Sequence, residues 1–387
     1  MTPANTLVPE PGTASIDWCL IEDAFDWFRQ LNGCPQDPSF HAEGDVNVHT
    51  RLVVEALLAD PAWRMLERAE RESLFWAALL HDVAKPACTR IEADGRVTAP
   101  GHSRRGQIMA RRILSGMGVP FAQREEICHL ITHHQLPFFL IERERPERRA
   151  HLISYQTRCD LLAILAAADA RGRICLDAAR LLDNLALFTE LCRDENCLSQ
   201  PKPFASAHSR FLYFRLEHRT ADYEAFDDWP GEATLLSGLP GSGKDTWLAA
   251  NAGGREVISL DDLREDLDVD PAGPQGAVIA AARERARTLL RAQRPFIWNA
   301  TNISRQLRTQ LIDLFANYKA KVRIVYLEAS EEERVRRNLR RQSPVPAKAI
   351  ARMLDRWEPP DLTECHALDV VLGRVRNQLS RLVRRPE

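Results

Sequence analysis

Three groups of residues in this 387-residue chain have the types and spacing to do chemistry. The first is the run Gly238, Leu239, Pro240, Gly241, Ser242, Gly243, Lys244, Asp245 and Thr246, a Gly-x-x-x-x-Gly-Lys pattern set between the apolar run ATLL and the helical stretch KDTWLAAN. Glycines there let backbone N–H groups turn inward around phosphates at the positive end of a helix. Lys244 would neutralise phosphate charge and follow it into a transition state. Ser or Thr usually follows the lysine and binds Mg2+; here Asp245 does, with Thr246 one residue later, and the pattern does not choose between them. The second group is Asp261, Asp262 and Arg264, just past the apolar run VISL, joined by Asn299, Thr301 and Asn302 in PFIWNATN and by five arginines in ERVRRNLRRQ. A carboxylate at that place can deprotonate an acceptor hydroxyl, and an arginine can hold a phosphate on the acceptor. The third group is His49, His81, Asp82, His102, His133, His134 and Asp169, set on separate helical stretches. Imidazole with carboxylate suits Fe, Mn, Co, Ni or Zn, and carboxylates in such apolar surroundings need a cation or a partner.

The elements that must position these groups differ along the chain. From about residue 16 to 198 nearly every segment has helical periodicity, including IDWCLIEDAFDWFRQL, RESLFWAALLHDVA, AQREEICHLITHH and CDLLAILAAADARGRICLDAARLLDNLALFTEL. An all-α bundle is expected there. After about residue 231, short apolar runs alternate with helical stretches, the pattern of a parallel sheet with crossover helices. The expected organisation is therefore a helical domain over 1–200, an aromatic-rich junction over 201–230 and an α/β domain over 231–387. Phe204, Phe211, Tyr213, Phe214, Tyr223, Phe226 and Trp229 of the junction are expected to be buried.

Bulk properties constrain partners only loosely. A formal net charge of -2 gives no global field for nucleic acid, so a polyanionic substrate needs a local basic groove. Nine cysteines without CxxC pairs or regular spacing read as reduced thiols, not as a disulfide framework or zinc ribbon. The start MTPANTLVPEPG has no signal-peptide pattern and no run is long enough to span a bilayer, so a cytoplasmic protein without membrane contact is expected.

Two resemblances sharpen these readings. SGLPGSGKDT, LDDLR, NATN and RRNLRRQ…VP, over about the last 160 residues, are similar to the P-loop polynucleotide 5′-kinases of end-repair enzymes. That resemblance implies ATP and Mg2+, with Asp261 as general base, Arg264 on the acceptor's phosphate, and Arg337 and Arg341 as lid arginines. HDVAKP, with its flanking histidines and aspartates, resembles the HD phosphohydrolases. It implies two divalent transition-metal ions such as Mn, Co, Ni, Fe or Zn. His49, His81, Asp82 and Asp169 would hold one, and His102 with His133 or His134 the second, with Asp82 shared and Lys85 reaching the scissile phosphate. The order of the two halves resembles bacterial HD-domain/polynucleotide kinase fusions of nucleic-acid end healing. This implies RNA or DNA ends as substrates, 5′-phosphorylation by one half, removal of 2′,3′-cyclic, 2′- or 3′-phosphate by the other, and a ligase acting downstream. Two other classes fit the motifs: a small-molecule kinase fused to an HD nucleotidase, and a signalling-nucleotide phosphodiesterase with a regulatory P-loop ATPase.

Overall fold

The computed structural model describes residues 7–12, 16–341, 343–373 and, for backbone only, 381–382. Residues 1–6 of the amino-terminal stretch and Gln342 of the arginine-rich motif lie outside them. The chain divides into two units, Met1–Pro203 and Phe204–Glu387. Among the described residues no helix is long and apolar enough to cross a membrane.

The first unit is helical: α1 (Trp18–Ala24), α2 (Asp26–Arg29), α3 (Val46–Ala59), α4 (Pro61–Met65), α5 (Arg68–Leu80), α6 (Lys85–Cys88), α7 (His102–Gly116), α8 (Phe121–His133), α9 (Pro146–Ser154), α10 (Cys159–Arg171) and α11 (Ala178–Asp194), with a small hairpin, β1 (Arg90–Ile91) and β2 (Val97–Thr98). Residues 72–80 of α5 are buried on every side, so this helix runs through the core and carries the His81-Asp82 pair into the interior. A polar pair at the end of such a helix has no solvent to turn to.

Two stretches that read as single helices are broken by tertiary contacts. Phe25 is extended (φ -133, ψ 107) and packs against Trp27 and Trp76, separating α1 from α2. Residues 172–177 separate α10 from α11, and Gly172, the C-cap of α10, lies against Val53 of α3. A Cβ there would stand 2.7 Å from Val53 Cγ2 and 2.8 Å from Val53 N. Gly172→Ala is therefore expected to destabilise this unit by about 1–3 kcal/mol. Denaturant unfolding checks this, and an unchanged midpoint would show that the backbone there yields to the added methyl without cost.

The second unit adds α12 (Ala207–Arg215), β3 (Gly231–Ser237), α13 (Lys244–Asn251), β4 (Glu256–Ser259), α14 (Leu260–Asp266), α15 (Gly276–Arg291), β5 (Phe296–Asn299), α16 (Arg305–Asn317), β6 (Ala320–Glu328), α17 (Glu331–Leu339), α18 (Ala347–Leu354), β7 (Ala367–Leu372) and β8 (Arg381–Leu382). The sheet order is β4-β5-β3-β6-β7-β8, parallel except for β8. Alternate residues feed opposite faces: Leu235, Trp298 and Ile324 enter one cluster, Leu236, Ile297 and Val325 the other. A sheet covered on both faces explains why its strands read as continuous apolar runs.

The junction aromatics divide. Phe211 and Tyr213 are buried, and Phe211 packs on Trp229 and His366 within this unit's core. Phe226 (84% exposed) and Tyr223 (45%) are not buried, contrary to expectation; Tyr223 instead lies under the Arg219 guanidinium, at 4.2 Å. Cation–π contact at the surface can hold such a ring without a core.

Candidate active sites

In the helical unit the expected ligands converge. His81 is the C-cap of α5 and His134 the C-cap of α8. A helix end leaves carbonyls without partners, and each imidazole uses Nδ1–H to satisfy the carbonyl three residues back: His81 to Ala78 (2.7 Å), His134 to Ile131 (2.7 Å). His102 does the same to Ala99 (2.8 Å). A carbonyl only accepts, so these contacts place the proton on Nδ1 and leave the Nε2 lone pair facing inward.

Asp82 stands between two sets of nitrogens. Its Oδ2 is 3.1 Å from His81 Nε2 and 3.8 Å from His49 Nε2, while Oδ1 is 3.5 Å from His102 Nε2 and 4.0 Å from His134 Nε2. The ligand atoms of His49, His81 and Asp82 lie within 4.8 Å of one another in one buried group, and those of Asp82, His102 and His134 in a second. Asp82 Oδ1 and His134 Nε2 are buried without hydrogen-bond partners. Orphaned polar atoms of this kind, aimed at a common point, fit a divalent cation. Burial opposes charge on Asp82, but His81, Lys85 and His102 outweigh it and hold its carboxyl well below the usual carboxylate range. Burial pushes His134 down to about 3, so its imidazole is neutral at physiological pH.

Asp169 is fully buried, 3.2 Å from His49 Nε2, and both its oxygens are gripped by Arg173 (2.9 and 2.5 Å). Lys85 Nζ is 2.8 Å from Asp82 Oδ2 and donates to Gln36 Oε1 at 2.6 Å. Of the His133-His134 pair only His134 reaches Asp82. His133 Nε2 is 2.7 Å from Gln156 Oε1, because adjacent residues on a helix project about 100° apart. Three contributors were missed by sequence reasoning. Glu43 stands 2.9 Å from His49 Nδ1, His41 bonds the same carboxylate at 2.8 Å, and Arg173 clamps Asp169. Only the Arg173 contact had a signal, its spacing of four residues from Asp169.

In the second unit the sites lie where the parallel strands end. Gly238 (φ 155) and Gly241 (φ 78) are obligatory: a Cβ would stand 2.4 Å from Leu327 O and 2.6 Å from Arg334 O respectively. The loop thus nests against the ends of β6 and of α17. Lys244, the first residue of α13, donates to Gly238 O (2.8 Å) and Leu239 O (3.1 Å) within its own loop. Asp261, exposed in the first turn of α14, pairs with Arg264 and lies 3.5 Å from Arg341 Nη2. Arg264 also donates to Gln275 Oε1 at 2.6 Å. Arg337 donates to Gly241 O at 3.3 Å and pairs with Glu333 at 2.6 Å. Glu333 also pairs with Arg336, so part of the arginine charge of α17 is internally neutralised, and the helix ends at Leu339, before Arg341.

The polar residues after β5 divide by role. Asn302 donates to Leu236 O at 2.7 Å and fastens β5 to β3. The carbonyl of Thr301 accepts from Gly238 N at 2.8 Å. Asn299 Oδ1 is buried without a hydrogen-bond partner at the same strand edge.

Residues 49–171 match the HD domain family and residues 234–360 match a family described as AAA domain. The chain joins an HD domain to a P-loop kinase-like domain. In sequence it is similar to the Multifunctional CCA protein of Actinobacillus pleuropneumoniae serotype 5b, 32% identical over 158 residues, covering 39% of this chain and 36% of that protein. The A-adding tRNA nucleotidyltransferase of Deinococcus radiodurans is 32% identical over 139 residues, covering 34% and 31%. The chain therefore spans 36% and 31% of the length of these two curated relatives. Among solved structures, a gluconokinase from Sinorhizobium meliloti 1021 has a TM-score of 0.29 and 23% identity, covering 37% of this chain and 83% of that one.

The P-loop lysine has a testable titration. Burial pushes the Lys244 amine down to about 8. Phosphates bind the ammonium form, so above that pH a proton must be taken up on binding. Nucleotide affinity is expected to fall as the pH rises from about 7 to 9, approaching tenfold per unit beyond the pKa. Calorimetric ATP titrations across that range check this; a flat profile would remove Lys244 from the phosphate contact.

Proposed function

We propose that this protein heals broken nucleic-acid ends. The P-loop domain transfers the γ-phosphoryl group of ATP to a 5′-hydroxyl end, and the HD domain removes a 2′,3′-cyclic, 2′- or 3′-phosphate. The observation that carries the kinase half is the meeting of Asp261 with Arg264 and Arg341 at the strand edge that also bears Lys244. A plain ATPase has no use for an acceptor carboxylate with an arginine fixed beside it. Asp261 takes the proton of the attacking hydroxyl, Arg264 holds the phosphate of the acceptor, and Lys244, Arg337 and Arg341 offset charge on the transferring group. Asp245 or Thr246 would supply the chain's contact to Mg2+.

In the HD domain, His49, His81, Asp82 and Asp169 would hold one divalent ion, and Asp82, His102 and His134 a second. Such ions activate water and offset phosphate charge. Lys85, beside Asp82, contacts the scissile phosphate, and Arg173 fixes the orientation of Asp169. The names of the curated relatives, which refer to CCA and to tRNA, support a polynucleotide substrate.

Incubating the purified protein with ATP and RNA bearing a 5′-hydroxyl and a 2′,3′-cyclic phosphate tests the reading. The expected product carries a 5′-phosphate and a 3′-end stripped of phosphate. Phosphorylation of free nucleosides or sugars with the RNA untouched would sink it in favour of a small-molecule kinase. Chelation should silence the phosphoesterase, with Mn2+, Co2+ or Ni2+ restoring it; restoration by Mg2+ alone would count against a His-rich centre.

A further inference from the structure

The cysteines that look scattered in sequence include three that meet in space. Cys159 opens α10, Cys192 lies in the last turn of α11, and Cys197 follows that helix. All three are fully buried, and their sulfurs lie within 4.8 Å of one another. The backbone dictates this meeting. Helix α11 ends with Glu195 as C-cap and Asn196 in the left-handed region (φ 53), with Cys197 N bonded to Cys192 O (2.8 Å) and Asn196 N to Arg193 O (3.0 Å). That is a Schellman turn, which brings the side chains at the positions of Cys192 and Cys197 into contact; usually these are hydrocarbons. Here they are two sulfurs. A further bond, Asp160 N to Leu198 O at 2.9 Å, ties the residue after Cys197 to the start of α10 and delivers Cys159 to the pair.

We propose that Cys159, Cys192 and Cys197 form a thiolate site for a single zinc-class divalent ion, which staples α10 to the end of α11. Three soft donors match zinc in preference to magnesium or calcium. A tetrahedral ion with Zn–S near 2.3 Å separates sulfurs by roughly 3.8 Å, within reach of the spacing present. Cysteine as apolar filler explains burial of each residue alone. It does not explain why chain-distant sulfurs converge, since alanine or valine would fill the same space. The turn bearing two of the sulfurs is anchored from outside: Glu195 accepts from Lys202 Nζ at 2.9 Å and lies 2.9 Å from His151 Nε2. This site shares no residue with the His/Asp cluster.

Cobalt(II) titration of the 387-residue protein tests the proposal, because only thiolate ligands give an intense sulfur-to-cobalt charge-transfer band in the near ultraviolet. About one equivalent of cobalt should develop that band. Cys159→Ser and Cys197→Ser should each lose it, and Asp82→Ala, which alters only the other cluster, should keep it. A measurement on the unaltered protein covers the case in which a serine variant fails to fold. Titrating the zinc-loaded protein with p-hydroxymercuribenzoate should release about one equivalent of zinc as the thiols react. Absence of the band in the unaltered protein, its persistence in folded serine variants, or zinc retained after mercurial titration would each overturn the assignment.

Discussion

Asp82→Ala is expected to lower phosphoesterase activity by more than the roughly 10–100-fold that accompanies loss of an outer-shell partner of a metal ligand. Both halves of the cluster depend on this one side chain: Oδ2 faces His49 and His81, Oδ1 faces His102 and His134. Removing it leaves two sets of imidazoles without their shared anion and Lys85 without its partner at 2.8 Å. The second set then keeps no carboxylate, and the first keeps only Asp169, which is already paired with Arg173. Kinase activity should be unchanged, because Asp82 belongs to the Met1–Pro203 unit and every kinase residue to the Phe204–Glu387 unit. End analysis of RNA products and bound-metal measurement together check this. Full phosphoesterase activity in the variant would remove Asp82 from the site, and loss of both activities would undermine the separation of the two chemistries. Asp82→Asn controls for packing, since it keeps the volume and discards the charge.

Asp261→Ala should reduce transfer to a 5′-hydroxyl end by about 10²–10⁴-fold, the usual contribution of a positioned general base. Asp261 is exposed at the start of α14, so the substitution should leave thermal stability unchanged. ATP binding should persist, because in the proposed mechanism Lys244 and the glycine loop hold the phosphates without it. The informative pattern is therefore loss of kcat with nucleotide affinity kept. If affinity falls with the rate, the carboxylate acts mainly by holding Arg264 and Arg341 in place, not by accepting a proton.

Local features of both sites were legible in the sequence because they follow from short-range rules. A glycine-rich turn between an apolar run and a helix has few other uses, and the three strand ends bearing polar residues point to one edge once the sheet is parallel. The apolar character of α5 foretold that His81 and Asp82 would be buried, as they are. Burial then demands partners, so the gathering of His49, His102 and Asp169 was foreseeable in kind.

What the linear pattern could not decide was left to tertiary packing. The choice of His134 over His133 depends on the rotation of α8 against α5, which neighbouring identical residues do not encode. Glu43 and His41 reach His49 from a loop with no period to read, and Arg173 lies past the end of α10. Phe226 reads as core and stands in solvent, because hydrophobicity states a preference while burial needs an available surface. The P-loop, Asp261 just past β4 and the HDVAKP pair were set by sequence alone, since each is complete within a few residues. The two-sided seat of Asp82 and the meeting of Cys159, Cys192 and Cys197 exist only once distant helices pack. Contact between residues far apart along the chain is a property of the packed core.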